Sequence, residues 1–554
     1  MTDTKLILDH VYDHERDHPD RIFLTQPYDG GKLVDYTWGQ VVDQARRMAA
    51  HLRGRGVGDG AHVAILSKNC AHFFIAELAI WMAGGTTVAI FPTEGADAVR
   101  YVLEHSDSTL LFVGKLDTWP KQEPGVPAGV PRIALPLAPP TAYDKWDDII
   151  ARTQPLAGRA PRRPDELAMI IYTSGCTGTP KGVMHSFGRM SQAATSIVES
   201  EQYTPQDRLI SYLPLAHAFE RAFIEATSLV AGSHVYFADT LDSFVQDVRR
   251  ARPTLFISVP RLWVKFQQGV LHKMPPKKLD LLLKIPILNN IVRRKILDGL
   301  GLDHVRLAAS GSAPIPPEVI VWYRRLGLNL MEGYAMTEDF AYSHHSRENA
   351  HAPGYVGIPY PGVEVRISDD GEVLIKSPGQ MIGYYKQPEL TAQCFTADGY
   401  FRTGDLGEHG RDGLLKITGR AKELFKTTKG NYVAPAPIEN LIGGNPMIEM
   451  AMVSGVGQPA AYALVVLAED LRTKAGEPAV RAEVERELGQ LLTDVNRQIP
   501  DYEKLKMLVI AREPFSIENG MLTPTLKIRR AKLEAAVAPQ LAKWYAQEGP
   551  VVWA

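Results

Sequence analysis

Residues 170–186 read IIYTSGCTGTPKGVMHS, and the reading of this stretch decides the rest. An apolar run of strand type, residues 167–172, leads into Thr173, Ser174, Gly175, Cys176, Thr177, Gly178, Thr179, Pro180, Lys181 and Gly182. Glycines let backbone N–H groups turn toward an oxyanion, while hydroxyls and one ammonium add donors and charge, so a phosphate loop is expected here. It is not a Walker A loop. Counted from Gly175, that motif needs Gly where Pro180 stands and Ser or Thr where Gly182 stands. Taken alone, the same composition also describes a glycine-rich turn between a strand and a helix.

Outward from this stretch, composition narrows the choices. A chain of 554 residues is too long for one core, so two or more domains are expected. With 61 basic against 63 acidic side chains, net −2, it carries no excess positive charge for bulk nucleic-acid binding. Only Cys70, Cys176 and Cys394 are present, which gives neither a disulfide framework nor a zinc-type pair and points to a reducing cytoplasm. The N-terminus lacks a signal-peptide layout. Residues 73–91 are the most membrane-like run, but Glu77, Gly84 and Gly85 interrupt it, so a buried helix followed by a strand is expected.

Thr37 and Gln40 have capping-box spacing, and Val41, Ala45, Met48 and Leu52 then keep a helical period until Gly54 and Gly56. Strands are expected at 62–66, 87–91 and 110–113, with a helix at about 71–83 between the first two. This alternation is βαβ architecture with a buried parallel sheet. Residues 120–164, rich in Pro and Ala, are expected to wander over the surface. A helix carrying Met190, Ala193, Ala194 and Ile197 and a strand at 209–213 follow. Alternation at Val363, Val365 and Ile367 with a turn at Asp370 and Gly371 predicts a small antiparallel unit. From about residue 423 come short strands (451–453, 463–467, 507–510) and a long helix near 480–497, a small α+β unit.

Six stretches, YTSGCTGTPKG, LPLAHAFER (213–221), GYAMTED (333–339), YFRTGDLG (400–407), ITGRAKELFK (417–426) and PTLKIRR (524–530), together resemble the adenylate-forming superfamily. That superfamily contains acyl-CoA synthetases, firefly-type luciferases and adenylation domains of peptide synthetases, and AHxFER with TLK is similar to its long-chain acyl-CoA synthetase branch. The resemblance implies an α/β fold: a large N-terminal domain of βαβ sheets plus a small antiparallel β-barrel (1–420), and a smaller, mobile α+β C-terminal domain (421–554). It implies a two-step reaction, in which a carboxylate attacks the α-phosphorus of ATP and a thiol then displaces AMP.

The resemblance also implies roles. Thr173 to Lys181 would hold the β- and γ-phosphates, with Cys176 in place of the usual Ser or Thr. Gly311, Ser312 and Ala313, with Glu332 and Gly333, would form the adenine-side backbone, and Tyr334 would stack on adenine. Thr337 would bind the α-phosphate and Glu338 would carry Mg²⁺, a hard cation that suits a carboxylate and substrate phosphates. Asp405 would take the ribose hydroxyls and Arg420 would add charge beside them. His217 would sit by the substrate carboxylate, Lys422 at the hinge, Lys527 on the carboxylate and α-phosphate, and Gly430 along the pantetheine path of CoA. For Asp405 a turn-forming role, for Thr337 and Glu338 a capping role, and for His217 a structural role stand as the alternatives.

ATP, Mg²⁺ and CoA are the expected partners of a fatty acid, with no nucleic acid, in a monomer or homodimer. Another acceptor, a carrier protein or an internal hydroxyl as in β-lactone synthetases, is the alternative, and a non-catalytic homologue the lesser one. Trp263 has two readings, gate of an acyl tunnel or core residue. Residues 275–295 also have two: contact with a membrane surface at the inner face, or an ordinary helix, with Pro286 interrupting the helical spacing and weighing toward the second.

Overall fold

The computed structural model describes residues 5–28, 31–173, 179–347, 349–410, 412–523 and 526–554. Local signals act as expected at the first long helix. Thr37 Oγ1 accepts the Gln40 N–H (3.3 Å) while Gln40 Oε1 accepts the Thr37 N–H (2.9 Å), and this reciprocal cap opens Trp38–Gly54. Ala71–Ala83 is buried along its whole length, which explains its membrane-like composition. Among the described residues no helix is long and apolar enough to cross a membrane.

Two sheets built largely of parallel strands form the body. The first has eight strands, in the order Gly383–Tyr384, Lys181–Ser186, Leu167–Thr173, Thr86–Ile90, His62–Leu66, Ser108–Val113, Arg132–Ala134 and Asp144–Lys145. Its central strands pair in parallel, as βαβ connections require. The second begins with Leu255–Ser258, Leu307–Ser310 and Leu330–Tyr334, again parallel. A four-stranded sheet joins Arg208–Ser211 and His234–Phe237 to the hairpin Ile22–Tyr28/Lys32–Thr37.

The expected antiparallel unit is an open four-stranded sheet of Glu364–Ile367, Glu372–Lys376, Phe401–His409 and Leu415–Arg420. Beyond the short turn Ala421–Glu423, the strands Ile448–Ser454, Ala461–Leu467, Leu505–Ile510 and Val551–Trp553 form a separate sheet. It has apolar clusters of its own on each face, one of them against the helix Pro478–Gln498.

Two expectations are corrected. Residues 120–164 do not simply wander, since Arg132–Ala134 and Asp144–Lys145 extend the edge of the eight-stranded sheet. Nor does the glycine-rich stretch run from strand into helix. Leu167–Thr173 pairs antiparallel with Lys181–Ser186, Thr173 opposite Lys181, and the helix Phe187–Glu201 starts only afterwards with Ser186 as its N-cap.

Candidate active site

The described site residues converge because most of them follow the carboxyl ends of strands, where an open α/β sheet leaves a crevice. Thr173 ends Leu167–Thr173, His217 follows Arg208–Ser211, Gly311 to Ala313 follow Leu307–Ser310, and Tyr334 to Glu338 close Leu330–Tyr334. All of these, with Lys181, Asp405, Arg420, Lys422 and Lys527, line one cavity of about 1330 Å³ between the body and the C-terminal unit. Glu332 and Gly333 line it too.

Where ribose is expected, Asp405 and Arg420 are cross-strand partners in the antiparallel sheet. Arg420 Nε donates to Asp405 Oδ1 (2.8 Å) and the Tyr334 hydroxyl donates to Oδ2 (2.7 Å). Two strands and a loop thereby aim one carboxylate, whose remaining lone pairs are free to accept from a diol. The Tyr334 phenol is pushed well above its usual range by burial and by Asp405, so it acts only as a donor to that carboxylate. Gly311 is required by space, since a Cβ there would stand 2.9 Å from the Phe219 ring. Glu332 turns its carboxylate to the Gly354 N–H (3.0 Å), and burial raises it to about 7, so any nucleotide contact there falls to its backbone.

On the phosphate side, the Tyr384 hydroxyl donates to Glu338 Oε1 (2.8 Å), and the Lys181 ammonium stands 5.2 Å from the centre of the Tyr384 ring. Tyr384 thus spaces the cation from the carboxylate. The Thr337 carbonyl accepts from His185 Nε2 (2.8 Å), and Asp339 Oδ1 accepts the N–H groups of Met336 (3.0 Å) and Tyr342 (3.2 Å), which fixes the turn that carries Thr337 and Glu338. Among the described residues the Glu338 carboxylate has one protein hydrogen bond, at Oε1, while its backbone carbonyl accepts the Met381 N–H (2.6 Å). No cluster of three or more metal-type ligands occurs among those residues. A single hard oxygen fits Mg²⁺ that arrives on nucleotide phosphates and keeps several waters.

Where the acid is expected, His217 Nδ1 accepts the Phe219 N–H (3.2 Å). The ring is therefore the Nε2–H tautomer, and burial, then the nearby Lys527 charge, lowers its pKa to about 3. His217 is a neutral donor at physiological pH. The loop behind it is held by two buried side chains, Glu220, whose pKa burial raises to about 8, and Arg221. Glu220 accepts from Ser211 Oγ (2.7 Å), the Tyr212 N–H (2.9 Å) and Asn69 Nδ2 (3.1 Å), and Arg221 Nε donates to the Leu215 carbonyl (2.8 Å). Arg221 also pairs with Glu77 of the buried helix (2.5 Å). Glu220 and Arg221 thus position the histidine.

Lys527 enters the cavity from the C-terminal unit on a tight loop. Its N–H donates to Thr523 Oγ1 (3.0 Å), the Thr523 N–H donates back to the Lys527 carbonyl (2.8 Å), and Leu526 takes a left-handed φ of 61°. Three residues on, Arg530 anchors the loop to Glu439 (2.8 Å) and to the Val453 carbonyl (2.6 Å). Although open to the cleft, the Lys527 ammonium is crowded enough that desolvation, then Arg420, lowers its pKa, against the pull of Asp405, Glu338 and Glu423.

Not everything converges. Gly430, expected on a CoA path, lies in an exposed turn between Phe425–Lys426 and Tyr432–Val433, with φ 86°, and does not line the cavity. Thr179 does not line it either. Ser174, Gly175, Cys176, Thr177 and Gly178 lie outside the described residues. Trp263 is a core residue, fully buried, with Nε1 donating to the Ala309 carbonyl (3.3 Å), and does not line the cavity as a gate would.

Residues 11–385 match the AMP-binding enzyme family, and residues 423–549 match the AMP-binding enzyme C-terminal domain. The chain belongs to the AMP-binding enzymes. This AMP-binding enzyme is 30% identical to the long-chain-fatty-acid–CoA ligase FadD15 of Mycobacterium tuberculosis, over 97% of this chain and 96% of that one. It is 29% identical to the peroxisomal long chain acyl-CoA synthetase 7 of Arabidopsis thaliana, over 93% and 83%. Its fold is that of the adenylation domain of a carboxylate reductase from Mycobacterium chelonae (TM-score 0.84, 23% identity, 98% and 92% covered). The anthranilate CoA ligase AuaEII, solved with anthranoyl-AMP, shares it as well (TM-score 0.80, 19% identity, 98% and 99% covered).

Proposed function

We propose that this AMP-binding enzyme activates a fatty acid with ATP to acyl-AMP and then transfers the acyl group to CoA, releasing AMP. The observation that carries the reading is the convergence of Lys527, His217, Lys181, Glu338 and the Asp405–Arg420 pair on one cavity. The similarity to long-chain-fatty-acid–CoA ligases over nearly the whole chain supports the acid and the acceptor.

Asp405 accepts the ribose hydroxyls and fixes where the α-phosphate sits. His217 donates its Nε2–H to one oxygen of the acid, leaving the other to attack phosphorus. Lys527 reaches the oxygens between which charge shifts, and stabilisation there counts because the ammonium is already in position. Lys181 and the loop before it receive the leaving pyrophosphate. Glu338 would hold Mg²⁺ brought in on the nucleotide, and the ion would supply positive charge beside the phosphates.

We further infer that residues 1–420 act as one body and residues 421–554 as a second that swings about Lys422. Lys527 serves the first half-reaction and leaves for the second. The Gly430 turn, now outside, then comes to the cavity and guides the thiol. Such a swing fits a cytoplasmic enzyme in peripheral contact with the membrane in which its acids partition.

The test is incubation with ATP, Mg²⁺ and a panel of short, long, aromatic and β-hydroxy acids, with and without CoA, with products identified by mass spectrometry. Acyl-CoA from long-chain acids is the expected result. AMP without acyl-CoA would overturn CoA as the acceptor, and no AMP would overturn the reading altogether.

A further inference from the structure

Residues 275–295 form a two-helix unit, and Pro286 starts its second helix instead of breaking the first. Pro276–Lys284 and Pro286–Leu300 each carry proline in the first turn, where its missing N–H costs nothing. The inner face of the pair, Leu279, Leu283, Val292, Ile296 and Leu297, packs on the second core. The outer face is apolar too. Ile287 (79% exposed), Leu281 (63%) and Ile291 (57%) stand in solvent together with Ile285 and Leu288. Of the fifteen large hydrophobics that are exposed among the described residues, these five fall within eleven consecutive positions. Single exposed hydrophobics are ordinary, but a cluster on one helical pair signals an interaction surface.

Charge says what the surface meets. The two helices hold six basic residues against two acidic ones, in a chain whose formal net charge is −2. Lys277, Lys278, Lys284, Arg294 and Lys295 are exposed and have no ion-pair partner among the described residues. Arg294 and Lys295 lie three and four residues beyond Ile291, on the same face of the helix, so basic side chains close the end of the apolar stripe. An apolar centre with a basic rim is the arrangement of a helix lying in a membrane interface, with the stripe among acyl chains and long basic side chains reaching anionic headgroups.

The pair is also placed to serve the cavity. The helix Pro260–Lys273 begins at Pro260, Arg261 and Val264, which line the cavity, and ends one turn before Pro276–Lys284. This part of the cavity wall and the outer patch are therefore consecutive pieces of one chain segment.

We propose that the outer face of Pro276–Lys284 and Pro286–Leu300 docks this protein on an anionic lipid bilayer. The purpose of docking rests on the fatty-acid reading, but the surface and its test do not. In vesicle flotation, the full chain should rise with vesicles of phosphatidylglycerol and phosphatidylcholine, stay down with phosphatidylcholine alone, and be released by salt, because rim charges are screened. The double substitution Ile287→Ser/Ile291→Ser keeps every charge and touches no core residue. It should lower the bound fraction by about tenfold while leaving the circular dichroism spectrum and AMP formation unchanged. Failure of the unsubstituted chain to float with anionic vesicles overturns the proposal. So does equal flotation of the double variant, or light scattering that shows the patch buried in a dimer the variant dissolves. A chain that floats yet forms no acyl-CoA would count against the proposed reaction and leave the docking surface standing.

Discussion

Lys527 is a single charge delivered by a loop, and its chemistry is testable apart from that of the body. Lys527→Ala should slow acyl-AMP formation by about 10²–10³-fold while sparing thioester formation from supplied acyl-AMP, because only the first step gathers charge on the oxygens it meets. Its pKa lies below that of a free lysine, so rising pH removes the positive charge sooner. Adenylation should therefore show an alkaline limb below the ordinary lysine range, which Lys527→Arg moves out of reach. Single-turnover rates of each half-reaction across pH check both points. Arg221 makes a different kind of prediction. It is buried with Glu77 and holds the Leu215 carbonyl, so Arg221→Ala strands a carboxylate and loosens the His217 loop. A loss of about 3–5 kcal/mol is expected in urea unfolding, a penalty for the abandoned charge more than a measure of the pair's worth. The motif residues were legible because each sits in a short run with its own spelling. Tyr384 was not, since its tie to Glu338, 46 residues upstream, exists only once the strand Gly383–Tyr384 has joined Lys181–Ser186.

Among the elements, the hairpin Phe425–Lys426/Tyr432–Val433, whose turn is exposed, stands apart from the chemistry it is proposed to serve. Gly430 holds φ 86° at its turn with open space around it, so a side chain there meets backbone strain and no clash. Gly430→Leu should cost about 1–2 kcal/mol locally. It should leave adenylation within a few-fold of normal and depress thioester formation. Equal loss in both halves, read by pyrophosphate and acyl-CoA assays, would count against a turn that acts only after the swing. Elements with a long, clean period were legible in advance. Ala71–Ala83 and Pro478–Gln498 came within two residues of expectation, because their stripes and stops are local. Arg132–Ala134 and Asp144–Lys145 were not legible, being too short for a period and strands only by pairing at a sheet edge. The hairpin behind the glycine-rich stretch was missed for a related reason: Lys181–Ser186 shows no alternation that separates it from a helix start, and its partner strand settles the matter.

For the whole molecule, polar contacts help to join its two parts. Arg261 pairs with Glu449 (2.7 Å), and Gln268 Nε2 donates to the carbonyls of Pro446 (3.0 Å) and Ile448 (3.1 Å). Contacts of this kind break and re-form without exposing a core, which suits the proposed swing. While they hold, the Lys527 loop stays in the mouth of the cavity. A mixed anhydride made there is expected to stay bound for as long as that loop lies across its way out. With ATP, Mg²⁺ and the acid but no CoA, pyrophosphate should therefore appear as a burst of about one equivalent per chain and then nearly stop. The amplitude of that burst would count functional sites directly. A steady release in its place would mean that the intermediate leaks, and that the loop covers the cavity without sealing it.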